Sequence, residues 1–147
     1  MMFKHRIQNA RRRGQAVVEF ALVLPLLLLL VFGAIEFGRV LLRLHLLTTA
    51  AREAARVGSL PNNVEADVQD KVDDVLEAAG MEAGSWSVET AVSDPDGVER
   101  TGGLTDALQG DRVQVAVTNH FEVLTGSIVP GLSGTIPLTS TCVFRHE

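Results

Sequence analysis

The 147-residue sequence has one cysteine, Cys142, so no disulfide can form within the chain. Its four histidines, His5, His45, His120 and His146, are scattered, and no two stand at a metal-ligand spacing. There is no glycine-rich phosphate loop, no internal repeat and no low-complexity tract. Residues 59–147 hold only four cations against fifteen acids. That balance excludes a basic nucleic-acid binder, because the acidic stretch would repel phosphate. A Cys142–His146 or Cys142–His120 dyad is imaginable. Strand alternation, however, places Cys142 on one face with Leu138 and Phe144, which predicts a buried thiol. Asp94-Pro95-Asp96-Gly97 carries part of a calcium loop but lacks the third ligand position and the distal bidentate acid. No catalytic residue, metal, cofactor, small-molecule substrate or nucleic-acid partner is expected.

Hydrophobic residues make up 46% and charged residues 21%, which excludes disorder as the global state. The charge is partitioned. Residues 1–14 carry Lys4, Arg6, Arg11, Arg12 and Arg13 and no acid; residues 15–58 carry four arginines against three glutamates. The nets of +5, +1 and −11 for the head, neck and body account for the overall −5. A basic head, an apolar neck and an acidic body do not describe a freely soluble enzyme.

From Phe20 to Ile35 sixteen consecutive residues carry no charge, and the run extends back to Gln15 with only Glu19 inside. A bilayer core of ~30 Å is crossed by a helix of about 20 apolar residues. A single span over about residues 15–37 is predicted, because so small a body could hardly bury a helix that is apolar all round. The five preceding cations place the N-terminus in the cytoplasm and the acidic body outside it. Arg39 and Arg43 lie on the far side, where long side chains can snorkel. The GAIEFGR that follows the run fits a signal-peptidase site poorly. Pro25 inside the span predicts a kink or a melted turn. Gly33 and Gly38 offer small patches where another helix could approach.

The run RRRGQAVVEFALVLPLLLLLVFGAIEFGR resembles the N-terminus of TadE/TadG-like proteins of the tight-adherence (Tad) pilus system. Those pilin-like proteins have a short basic leader ending in Gly, cut on the cytoplasmic side by a prepilin peptidase. The resemblance implies cleavage between Gly14 and Gln15, with Glu19 and Phe20 as the processing and assembly motif. Glycine at the cut leaves the backbone open to a protease. The new α-amino group on Gln15 would be largely cationic at neutral pH, a partner for Glu19 of a neighbouring subunit. The AAREAAR stretch and the ending, a valine-alternating strand, a Pro-Gly loop and a final strand, also resemble the family.

Beyond the span the helix is predicted to continue to about Val57, roughly 64 Å from Gln15 at ~1.5 Å per residue. Leu41, Leu44, His45 and Thr48 fall near one stripe and Ala50, Ala54 and Gly58 on a line of small residues. Gly58 is the expected C-cap. His45 has no acid or second histidine at helical spacing and reads as a partly exposed helix residue. A second helix is expected over Val64–Ala79, capped by Asn62 or Asn63 and closed by Gly80, with Asp67, Asp70, Asp73, Asp74 and Glu77 solvated. Thr101-Gly102-Gly103 reads as a flexible connection. Alternation in SWSVETAV, DRVQVAVTNHF and TIPLTSTCVFR predicts three or more strands, antiparallel where one face is wet. Pro137 marks a strand start or a sheet edge.

The expected class is α+β: a long N-terminal helix, then a small domain with one further helix and an antiparallel sheet. The expected organisation is a leader (1–14), a long helix (15–58) and an extracytoplasmic acidic domain (59–147). The resemblance implies a minor pilin or pseudopilin of the bacterial inner membrane. Its partners would be membrane lipid, the prepilin peptidase, other pilin-like subunits and the pilus assembly platform. The rival reading is an unprocessed single-pass protein whose outer domain binds a ligand or a surface. A membrane-anchored enzyme would need catalytic residues that the body does not offer.

Overall fold

The computed structural model describes residues 4–124 and 134–147, with side chains from residue 15 onward. The VPGL loop near 129–132 lies outside the described residues. The elements are α1 (Lys4–Gly58), α2 (Glu65–Ala78), β1 (Trp86–Ser93), a 3-10 turn (Gly103–Asp106), β2 (Arg112–Glu122) and β3 (Thr135–Arg145). The architecture is a long N-terminal helix followed by a smaller α+β part, whose three-stranded antiparallel sheet runs β1-β2-β3.

The chain divides into two units, Met1–Gly38 and Arg39–Glu147. In the first, α1 begins at Lys4, ahead of the Gln15 expected, and remains helical through Pro25. The proline ring leaves the Ala21 carbonyl without its usual helical partner. The large apolar side chains here are exposed, Phe20 by 62% and Leu30 by 65%. Among the described residues α1 is the one helix long and apolar enough to cross a membrane.

The second unit has one hydrophobic core. Leu47, Ala50, Ala51, Ala54 and Ala55 of α1 are fully buried, with Val68, Val72 and Leu76 of α2 and Trp86, Val92, Val113, Val115, Val117, Phe121 and Leu138 of the sheet. The face of α1 that meets this core is therefore the alanine line. Of the expected stripe, Leu41, His45 and Thr48 are exposed and only Leu44 is half-buried. Small side chains let the sheet valines approach the helix backbone, which a leucine stripe would hold off.

Gly58 is not a left-handed cap but the last residue of α1. A Cβ there would stand 3.1 Å from Val68 Cγ2, 3.2 Å from Val113 Cγ1 and 3.6 Å from Leu104 Cδ1. The end of α1 is closed instead by Ser59, whose Oγ donates to the Arg56 carbonyl at 2.8 Å, and by Asn63, whose Nδ2 donates to the Val57 carbonyl at 2.7 Å. Asn62 turns the chain at φ 69°. Asn63 thus serves α1 rather than α2, and the N-cap of α2 is Val64. Its N–H donates to Asp67 Oδ2 at 2.8 Å, giving the acidic half of a capping box. The other end of α2 closes as expected at Gly80, φ 79°. Gly80 N–H donates to the Glu77 carbonyl at 2.8 Å and Met81 N–H to the Leu76 carbonyl at 3.0 Å, a Schellman motif.

The strands follow the alternation read from the sequence, and β2 buries Val113, Val115, Val117, Asn119 and Phe121. Asn119, the polar member, donates from Nδ2 to the Ser85 carbonyl at 2.6 Å. β3 is an edge strand carrying Pro137, as Pro137 required. On this edge strand Ile136 is 47% exposed and Cys142 is half-buried rather than buried. Asp94–Gly97 forms the expected turn, with Asp94 Oδ1 accepting from Asp96 N–H at 3.0 Å and Val98 N–H at 2.8 Å.

The 101–103 connection is pinned rather than loose. Glu65 Oε1 accepts the Leu104 N–H at 2.7 Å, and the Leu104 side chain is buried. Asp73 also departs from the solvated face expected for it. Its Oδ1 accepts the Trp86 indole N–H at 2.8 Å and Gln69 Nε2 at 2.8 Å, tying α2 to β1.

Candidate processing and assembly segment

The residues singled out from the sequence, Gly14, Gln15, Glu19, Phe20 and Pro25, all lie on the first unit's stretch of α1. The Gly14–Gln15 peptide sits within helical backbone. Hydrolysis needs its carbonyl carbon opened to attack, so the helix must first unwind there. Glycine weakens a helix interior by roughly 1 kcal/mol relative to alanine, which lowers the cost of opening the helix at this point.

Gln15 and Glu19 are four residues apart, hence on one face and about 6 Å apart along the axis. Both are exposed, as are Val17, Val18 and Phe20. Among the described residues Glu19 has no ion-pair partner within the chain. A carboxylate on an otherwise apolar exposed face is costly in a bilayer unless a partner reaches it.

Among the described residues the cysteine–histidine pairs considered from the sequence are not brought together. His120 and Cys142 face opposite sides of the sheet, His120 exposed on the outer face and Cys142 on the inner. His146 is four residues beyond Cys142, about 13 Å at ~3.3 Å per extended residue. Asp94 is committed to its own turn. Among the described residues no group of three or more His, Cys, Asp or Glu could hold a metal ion.

One electrostatic cluster escaped the sequence reading. Asp111, 1% exposed, receives Arg100 Nε on Oδ2 at 2.9 Å and the second guanidinium nitrogen on Oδ1 at 3.2 Å. The Leu108 N–H adds a bond to Oδ2 at 2.9 Å. The Arg100 hydrogen bonds, and then the Leu108 amide, hold the Asp111 carboxyl below the usual range against desolvation. Arg100 is raised in turn, mainly by the same hydrogen bond. The Asp111 carbonyl accepts from His146 N–H at 2.8 Å and the Ser59 carbonyl from Glu147 N–H at 2.9 Å. The cluster closes the unit and is structural. The only sequence signal was an acid at the head of a valine-rich strand, which does not reveal burial.

A model of the TadE-like protein family matches residues 14–56, opening at Gly14 and running through Glu19, Phe20, the apolar stretch and most of the outer part of α1. No curated protein and no solved structure matches the chain.

Proposed function

We propose that this chain, which carries a TadE-like segment over residues 14–56, is a minor pilin or pseudopilin that acts in assembling a Tad-type pilus or related secretion apparatus. Residues 1–14 are its basic cytoplasmic leader, about 15–37 its single inner-membrane span, and the acidic α+β part its extracytoplasmic body. A prepilin peptidase removes the leader between Gly14 and Gln15. Glu19 then meets the new Gln15 amine of a neighbouring subunit, and Phe20 packs beside it. Pro25 bends the span. The partners are membrane lipid, the peptidase, other pilin-like subunits and the assembly platform.

The observation that carries this reading is Gly14 followed by Glu19-Phe20 at the head of an exposed apolar helix, in register with the start of the family match. The test is intact-mass spectrometry of the membrane-extracted chain from cells with and without the peptidase. A peptidase-dependent N-terminus at Gln15, abolished by Gly14→Leu, is expected. A chain still starting at Met1 or Met2 in both strains overturns it in favour of an unprocessed anchor with a binding domain.

A further inference from the structure

An open cavity of about 270 Å³ in the second unit is lined by Arg39, Arg43, Glu82, Ser85, His120 and Glu122, among others. Its charges are of both signs. Among the described residues the Arg43, Glu82 and Glu122 side chains form no ion pair with one another, although they face the same space. The Arg39 guanidinium lies 4.9 Å from the centroid of the Phe121 ring, which is itself buried and fixes it. Ser85 Oγ accepts from Asn119 Nδ2 at 3.4 Å, so its own proton stays available to an anion.

A cavity in which Arg43 stands apart from Glu82 and Glu122 matches a ligand carrying both charges. Its volume falls below the ~300–1,000 Å³ of pockets for drug-sized molecules, which suits a small polar group. Arg39 and Arg43 follow Ile35, the end of the uncharged run, by four and eight residues, about 6 and 12 Å of helix rise, and side chains on a helix lean back toward its N-terminus, here toward the membrane. The headgroup layer beside a ~30 Å bilayer core is roughly 5–7 Å deep. We propose that this cavity binds the headgroup of a zwitterionic phospholipid bearing a primary ammonium. The phosphate diester lies against Arg43, Arg39 and the Ser85 hydroxyl, and the ammonium donates to Glu82 and Glu122. A choline headgroup has no N–H for those carboxylates, and a glycerol headgroup has no cation. The assignment rests on α1 crossing the membrane as proposed above.

The test is native mass spectrometry of the full chain in detergent, titrated with phosphatidylethanolamine, phosphatidylcholine and phosphatidylglycerol. Retention of phosphatidylethanolamine at least fivefold above the others is expected. Arg43→Gln and Glu82→Gln should each reduce it about fivefold, and Arg52→Gln, exposed on the same helix, should not. Equal retention of the three lipids, preference for phosphatidylglycerol, or indifference to Arg43→Gln and Glu82→Gln in variants with wild-type Trp86 fluorescence overturns the site. Soluble glycerophosphoethanolamine binding as well as the lipid overturns its assignment to a lipid. The membrane reading fails separately, by recovery of the chain in the soluble fraction without detergent.

Discussion

Replacing Gly58 by alanine, a change that ordinarily strengthens a helix, should weaken this protein. At a helix interior the exchange gains up to ~1 kcal/mol from propensity, and less at the last residue of α1. Against that, the new methyl would sit 3.1 Å from Val68 Cγ2 and 3.2 Å from Val113 Cγ1, both fully buried, so each must give by a few tenths of an ångström inside the core. Overpacking of this kind costs about 1–3 kcal/mol. The balance is a net loss of roughly 1 kcal/mol for Gly58→Ala and about 3 kcal/mol for Gly58→Val, whose branches enter the same three side chains. For a unit of this size that corresponds to Tm falling by ~4 and ~12 °C. Gly38 supplies the internal comparison, since nothing lies within 4 Å of a Cβ built there, and Gly38→Ala should be neutral or stabilising. The chain has one tryptophan and no tyrosine, and Trp86 is 9% exposed in the core, so its fluorescence reports unfolding of the second unit directly. A thermal melt in which Gly58→Ala gained stability would falsify the close-packing account.

Asp73→Ala should cost about 2 kcal/mol by stranding the Trp86 indole N–H, read in the same melt, whereas Asp70→Ala and Asp74→Ala, both exposed, should stay within ~0.5 kcal/mol. Because the folded Asp111 carboxyl is held below its unfolded value of about 3.9, its contribution is complete above that pH and is lost as pH falls through the folded value. Asp111→Asn should therefore lower Tm at pH 7 and flatten the acid limb below about pH 4; an unchanged limb would show that another group governs it. Glu65→Ala should speed amide exchange at Leu104 by roughly tenfold, the loss of one charge-assisted bond.

The elements were legible because periodicity reports them: the unbroken apolar run, the valines of α2 at helical spacing, and the strict alternation of β2 and β3. The processing residues proposed here, Gly14, Gln15, Glu19 and Phe20, rest on a local motif that needs no tertiary contact. What stayed hidden depended on partners distant in sequence. Leucines on α1 advertise hydrophobicity more loudly than alanines, yet apart from Leu47 the fully buried positions are alanines, whose small side chains allow close approach. Asp73 differs from its neighbours Asp70 and Asp74 only in facing Trp86, thirteen residues on. Asn63 looks from the sequence like a cap for α2, but its side-chain amide bonds backward to the Val57 carbonyl at the end of α1. The glycines at 102 and 103 suggested looseness, but Gly103 has a left-handed backbone at φ 60° and a Cβ there would collide with Glu65. That collision is invisible until the two segments meet.

The alanine seat of α1 also sets how this sequence can drift. Leu47 apart, its buried positions hold side chains with no rotamer freedom to lose, so the contact forms with little ordering cost. Growth at Ala50, Ala51, Ala54 or Ala55 lifts the helix from the valines beneath it, and shrinkage to glycine forfeits about 1 kcal/mol of helix propensity per site. Variation is blocked in both directions at once. Among homologues serine should be the replacement that recurs there, while Leu41 and Leu42, exposed on the helix, are free to be exchanged for whatever a neighbouring molecule prefers.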